Sequence, residues 1–315
     1  MNDPGPQISQ IVQTIEQVST QWTSISETET PTSTAVVTII PSHTPILQST
    51  ETVVACNQYY GTLEYREFYT ELLSFPFGIR VYLPPCYDAL PAKHYPVLIL
   101  LHTKSYNDDQ WDRLGADEIA DKLISTGEAP PFIIVMPRES NDVEDDKVST
   151  YGSALIEALI PWIDEEYRTC TIRECRAIGG ISRGGAWAMR MGLMNWELFG
   201  SIGAHSLAPF PGDFYESPYW FKKIPEGEWP RIYLDMGTID DLMYIAGLFE
   251  DRLTNYGVPH EWIINTGTHN EDYWGAHVED YLRWYTFPWK ELFKGSDLEG
   301  DTSFEIPSPT TEISE

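Results

Sequence analysis

The chain has 315 residues, with 48 Asp and Glu against 20 Lys and Arg, for a formal net charge of −28 and a calculated pI of about 4.4. A surface this acidic excludes nucleic-acid binding, which needs clustered Lys and Arg to neutralise phosphates, and it is repelled by anionic membranes. The length suits one large domain with extensions, and a neutral or cationic substrate is the easier partner.

Residues 1–55 contain no Lys or Arg and are dominated by Ser, Thr, Gln, Glu and Pro. That composition buries too little apolar surface to offset chain ordering, so a disordered acidic arm is expected. Within it Ile8, Ile11, Val12, Ile15 and Val18 recur at helical spacing, as in a short amphipathic helix or a transient one. The start "MNDPGPQISQ" lacks a basic region and an apolar core of signal-peptide type. "VVAC", ending at Cys56, has the outline of a lipoprotein cleavage box, but the segment before it is polar. A domain is expected over 56–295, followed by a disordered acidic tail over 296–315.

Along that domain short apolar runs alternate with amphipathic segments. Strands are expected at 78–84, 97–102, 132–137, 176–182, 200–206, 231–237 and 260–267, with residues 62–84 supplying an antiparallel edge. Helices are expected at 115–126, 150–167, 184–196, 243–256 and 273–285. Unbroken apolar strands separated by helices indicate an α/β fold, a mostly parallel, doubly wound sheet with helices on both faces and its ligand beyond the carboxyl ends of the strands. The longest apolar runs, such as "VLILL" at 97–101, fall far short of the roughly 18 residues of a membrane span.

Four cysteines are present, with no doubled C-x-x-C pattern for zinc. Cys170 and Cys175 are close enough for a tight loop to bridge, and Cys56 and Cys86 flank the first strands, so these two disulfides are expected; reduced thiols packed as small apolar groups are the alternative. Disulfides and a Ser/Thr-rich arm together point to an extracytoplasmic or secreted protein.

The chemistry centres on "AIGGISRGGAWAM", residues 177–189. Gly180 to Gly184 has the form G-x-S-x-G, directly after an apolar strand and directly before a helix rich in small residues, which is the context of a nucleophile elbow. There Ser182 projects its hydroxyl at a helix N-terminus, where backbone N–H groups favour developing negative charge. The plainer reading is a glycine-rich turn with a capping serine. A nucleophilic serine needs a base and an acid, which in this fold follow in the order Ser, Asp or Glu, His. His269, after the last strand in "NTGTHNEDYW", is the expected base, with His277 behind it. Asp240, in the loop "GTIDDL", is the expected acid; Asp235 lies within the strand, and Asp241 is expected to cap the next helix.

"RVYLPPCYD", "YPVLILLH", "DDQW", "PFIIVMP", "AIGGISRGG", "LDMGTIDD" and "GTHNEDYW" together resemble the esterase D or feruloyl esterase type of α/β-hydrolase, over residues 60–290. That lineage also holds siderophore trilactone esterases, S-formylglutathione hydrolases and mycolyltransferases. The resemblance implies an α/β-hydrolase fold without a separate cap domain, and it places the triad roles on Ser182, Asp240 and His269. In this fold the oxyanion is held by the N–H after the nucleophile, here Arg183, and by one from the loop after the second strand, assigned to Lys104. The chain departs from its relatives in that loop, where Thr103 stands in place of a glycine. A misplaced donor there implies a slow esterase rather than a dead one.

A serine carboxylic-ester hydrolase acting through an acyl-enzyme is therefore expected, with no metal or organic cofactor. The aromatic connection 208–230, with Thr103, Trp111 and Trp274, suggests a surface for a sugar ring or an aryl acyl group, hence a carbohydrate-linked or feruloyl/acetyl-type ester. Those aromatics equally serve to close a hydrophobic face. Acyl transfer, a siderophore-type esterase and a non-catalytic binding module are the alternatives.

Overall fold

Alternation along unbroken apolar strands sorts the core into two layers, and the sheet stands between them. A computed structural model describes residues 56–139 and 146–294; the expected arm at 1–55, its helical stretch and the tail at 296–315 lie outside these residues. Eight strands, β1 (Thr62–Phe68), β2 (Phe77–Leu83), β3 (Val97–Leu101), β4 (Ile133–Pro137), β5 (Arg176–Ile181), β6 (Ser201–His205), β7 (Arg231–Gly237) and β8 (Glu261–Asn265), form one sheet in the order β1-β2-β4-β3-β5-β6-β7-β8. The first two are antiparallel additions, and the rest run parallel.

In β3, Val97, Ile99 and Leu101 enter one layer while Leu98 and Leu100 enter the other, as the period of two requires. The helices are α1 (Gln110–Arg113), α2 (Ala116–Ser125), α3 (Tyr151–Ser153), α4 (Ile160–Glu166), α5 (Arg183–Met194), α6 (Asp213–Phe221), α7 (Met243–Asn255) and α8 (Glu271–Leu292). Ile163 of α4, Trp187 of α5, Trp220 of α6 and Phe249 of α7 fill the first layer; Leu123 of α2 and Tyr281, Tyr285 and Trp289 of α8 fill the second. Each such large side chain, fully buried, contributes about 1.5–3 kcal/mol.

Three elements differ from expectation for identifiable reasons. The single helix expected at 150–167 widens into a π-helix over Ala154–Leu159, just before Pro161, which has no N–H to continue an α-helical ladder. No helix is expected within the connection 208–230 and the last helix is expected to end at 285, yet α6 forms around Pro218, and α8 continues through Pro288 to Leu292. Packing of Trp220 and Phe221, and of Trp289, outweighs the propensity loss.

Register decides where the site lies. Leu101 pairs with Gly180, Ile181 with His205, His205 with Asp235 and Gly237 with Asn265, so the carboxyl ends of β3, β5, β6, β7 and β8 form one edge. Among the described residues no helix is long and apolar enough to cross a membrane.

Both expected disulfides are formed, Cys56 with Cys86 and Cys170 with Cys175, at sequence separations of 30 and 5. By loop-closure entropy, replacing the Cys56 and Cys86 pair with Ser should cost about 3–4 kcal/mol and replacing Cys170 and Cys175 about 2 kcal/mol. Urea titrations of the two variants check this; a larger loss from the short loop would contradict it.

Candidate active site

Ser182 follows β5 directly and precedes α5 in a sharply turned conformation, φ 56° and ψ −116°. A non-glycine residue held at such angles costs about 1–3 kcal/mol, so neighbours must over-determine it. They do so through hydrogen bonds: its N–H donates to the His205 carbonyl at 2.8 Å, and its carbonyl accepts from the amides of Ala186 at 3.0 Å and Ala208 at 3.3 Å. The flanking glycines are required by close approach. A Cβ on Gly180 would strike the Gly184 backbone, and one on Gly184 would strike the carbonyls of Leu101 and His102.

His269, in the loop between β8 and α8, places Nε2 2.9 Å from Ser182 Oγ and Nδ1 2.8 Å from Asp240 Oδ2. With Asp240 ionised, Nδ1 carries the proton it donates to the carboxylate and Nε2 presents a lone pair to the serine hydroxyl. Burial alone would raise the Asp240 carboxyl, but hydrogen bonds from His269, the Leu242 amide and Ser206 outweigh it and hold the group below its ordinary value. The Leu242 amide donates to Asp240 Oδ1 at 2.8 Å. That bond corrects one expectation: Asp241 is exposed and caps no helix, because Asp240 already takes the amide at the start of α7. Ser206, itself at a positive φ of 47°, also accepts from the Trp274 indole at 2.9 Å, and that ring stands edge-on to His269 at 5.0 Å.

A second His–Asp pair lies deeper, with a tyrosine hydroxyl instead of a serine at the imidazole Nε2. His205 Nδ1 is 2.7 Å from Asp235 Oδ1 and its Nε2 is 2.9 Å from the Tyr285 hydroxyl, while Asp235 Oδ2 accepts from Tyr273 at 2.6 Å and Tyr281 at 2.8 Å. Both His205 and Asp235 are fully buried. His277, the runner-up base, meets Tyr273 edge to face at 4.6 Å and faces Asp280 at 3.7 Å, while His269 takes the place beside Ser182.

The loop after β3 is held without glycine. Thr103 does not require a left-handed backbone, since positive φ among described non-glycine residues occurs only at Cys86, Ser182 and Ser206. Its amide donates to Gln110 Oε1 at 2.8 Å, and its carbonyl receives the His102 Nδ1–H at 2.6 Å. His102 Nε2 in turn accepts the Glu139 amide at 2.8 Å, and burial lowers the imidazole so that it stays neutral for this role. With the Thr103 amide used, Lys104 supplies the next N–H along the loop, and its side chain is exposed. The Thr103 hydroxyl is buried without a hydrogen-bond partner.

Two expectations about the aromatic surface are corrected. Trp111 is 1% exposed and donates its indole N–H to the Leu101 carbonyl, so it is a strut under the loop and offers no ring to a ligand. Trp274 is 3% exposed and braces His269 and Ser206. Apolar side chains of this size find burial before they find ligand. Sequence reasoning also missed Ser206, Gln110 and Glu139. Only Glu139 had a readable signal: Arg183, charged and at the start of a helix whose next residues are all small or apolar, requires a counterion.

An elbow serine on the carboxyl edge of a mostly parallel sheet, with a histidine and an aspartate delivered by later loops, defines an α/β-hydrolase. The sequence pattern of the putative esterase family matches residues 70–285, and the chain belongs to that family. It is 28% identical over 223 residues to an endo-1,4-beta-xylanase/feruloyl esterase of Xylanibacter ruminicola, covering 65% of this chain and 30% of that protein. An esterase of Mycobacterium tuberculosis is 26% identical over 262 residues, covering 66% of this chain and 56% of that one. The chain thus spans less than two thirds of the length of these relatives. A ferulic acid esterase from Anaeromyces mucronatus, solved in complex with ferulic acid, shares the fold at a TM-score of 0.62 and 23% identity, over 74% of this chain and 92% of that one.

The two His–Asp pairs should respond differently to substitution. Asp235→Ala leaves His205, Tyr273 and Tyr281 without their acceptor and should cost about 3–5 kcal/mol of stability, whereas Asp240→Asn, at the sheet edge, should cost no more than about 1 kcal/mol. Denaturant midpoints measure both, and equal losses would refute the distinction.

Proposed function

We propose that the chain is a serine carboxylic-ester hydrolase in which Ser182 is the nucleophile, His269 the base and Asp240 the orienting acid. The observation that carries this reading is the unbroken relay from Ser182 Oγ through His269 to Asp240, at 2.9 Å and 2.8 Å, on a strained strand-to-helix turn. As Ser182 Oγ attacks the ester carbonyl, its proton passes to His269 Nε2, and Asp240 stabilises the imidazolium. The carbonyl oxygen gains its charge beside the amides of Arg183 and Lys104 and the N-terminus of α5. His269 then gives its proton to the departing alcohol, leaving an acyl-enzyme. Water deprotonated by His269 attacks this acyl group by the reverse path and releases the acid and Ser182.

For substrate we propose a carbohydrate-linked or aryl ester of the feruloyl type. Support comes from the feruloyl esterase relative, from an acidic surface that favours uncharged ligands, and from exposed Ile239 and Tyr244 on either side of Asp240 in the chain. The two disulfides support action outside the cytoplasm.

Hydrolysis of p-nitrophenyl acetate and of a feruloylated arabinose by the protein and by Ser182→Ala tests the reading. The substitution should lower kcat/KM by at least about 10³-fold, and Asp240→Asn by about 10³–10⁴-fold, the latter without loss of fold. Equal rates for the protein and Ser182→Ala on both esters would overturn the mechanism. Turnover of the acetate alone would overturn the substrate assignment.

A further inference from the structure

We propose that Glu139 is a positioning residue that fixes both oxyanion-binding segments, the first turn of α5 and the loop after β3, relative to each other. This rests on the serine esterase reading above. Glu139 follows β4 and lies in neither segment, yet it is bonded towards both.

Towards α5 the contact is an ion pair. Arg183 Nε lies 3.0 Å and 2.9 Å from the two carboxylate oxygens of Glu139, a terminal guanidinium nitrogen lies 2.7 Å from Oε1, and the Trp187 indole donates to Oε1 at 3.1 Å. The Arg183 guanidinium also lies over the rings of Phe210 at 5.1 Å and Trp187 at 5.6 Å. Forked, charge-assisted bonding leaves the side chain little freedom. Because the same residue carries the N–H next to the nucleophile, fixing its side chain restrains the peptide that receives the oxyanion.

Towards the loop, the Glu139 amide holds His102 Nε2, and His102 holds the Thr103 carbonyl. The carbonyl of Thr103 and the N–H of Lys104 belong to one planar trans peptide and point in opposite directions. Pinning the oxygen therefore fixes the direction of the N–H. The chain needs no glycine at 103 because a histidine side chain, itself positioned by Glu139, orients the peptide.

The cost of the arrangement argues that it serves more than stability. The side chains of Glu139 and Arg183 are only 6% and 12% exposed, and a buried ion pair is often no more stabilising than apolar residues of the same shape. What it adds here is direction.

The test compares the unsubstituted protein, Glu139→Gln and the charge-free double variant Glu139→Gln/Arg183→Met on p-nitrophenyl acetate. Inhibition by an aryl trifluoromethyl ketone, which forms a tetrahedral oxyanion on the serine, is measured alongside. The proposal expects Glu139→Gln to lower kcat by about 10-fold to 100-fold, short of the about 10²–10³-fold for deleting an oxyanion donor outright. KM should stay within about twofold, and the ketone's inhibition constant should rise in step with the fall in kcat/KM. In the double variant, which strands no charge and so protects the test against a folding failure, kcat should remain as low as in the single one. A kcat within twofold of the unsubstituted protein in either variant would overturn the proposal, as would a kcat loss with an unchanged ketone inhibition constant. Absence of Ser182-dependent turnover in the unsubstituted protein would instead overturn the functional reading itself.

Discussion

The hydrogen bond from the Ser182 amide to the His205 carbonyl fixes the molecule's chemical geometry. A serine at φ 56° and ψ −116° relaxes unless its N–H and C=O are both engaged. β6 supplies the acceptor at the residue where it pairs with Ile181, so the turn is an extension of the sheet ladder. The residue after that acceptor, Ser206, bonds to Asp240 and to Trp274. One dipeptide at the end of β6 thereby registers Ser182 against Asp240, and through Trp274 against His269.

This dependence explains why so much polar machinery is buried under the site. His205 has to be immobile for its carbonyl to be a fixed point, and it is clamped by Asp235 and Tyr285, with Tyr281 stacked on it at 3.6 Å. Asp235 is in turn saturated by Tyr273 and Tyr281. Tyr273, Tyr281 and Tyr285 all come from α8, so the long final helix supports the site from beneath. A histidine–aspartate pair is thus not itself a mark of chemistry. The pair at the sheet edge reaches a hydroxyl on a strained turn, and the buried pair reaches only tyrosines.

The same distinction shows what could be read from the sequence. Strand positions were legible because both faces of the sheet are covered, which makes β3 and β4 unbroken apolar runs and keeps β5 and β6 apolar apart from their terminal Arg176, Ser201 and His205. Ser182, Asp240 and His269 were legible as a set because each follows a strand, and a parallel sheet gathers such positions on one edge. The helix α6 was not, since Pro218 conceals it and only tertiary packing against α5 and α7 restores it. Trp111 and Trp274 were misjudged because composition says that an aromatic is present and not which way it faces. Ser206 was invisible for a different reason, since its partners lie 34 or more residues away and no local pattern records a bond of that span; for Glu139, Arg183 signals only that a counterion is needed, and not that it stands 44 residues back.

The loop after β3 shows how such long-range bonds substitute for a local rule. Glycine in an oxyanion loop supplies freedom, letting the backbone turn its N–H to where charge develops, and it must then be immobilised at an entropic cost. A threonine begins with less freedom, and here two side chains, Gln110 on its amide and His102 on its carbonyl, fix the peptide units on both sides of it. Because His102 is buried and neutral, it keeps a single tautomer, donating at Nδ1 and accepting at Nε2, so the loop has one orientation available. An oxyanion site preorganised by hydrogen bonds stabilises the transition state as one built on glycine does, provided its anchors are themselves fixed. In this chain Gln110 of α1 holds the Thr103 amide, while the His102 ring and the Arg183 guanidinium both bond to Glu139, so the loop after β3 and the first turn of α5 share one anchor just beyond β4.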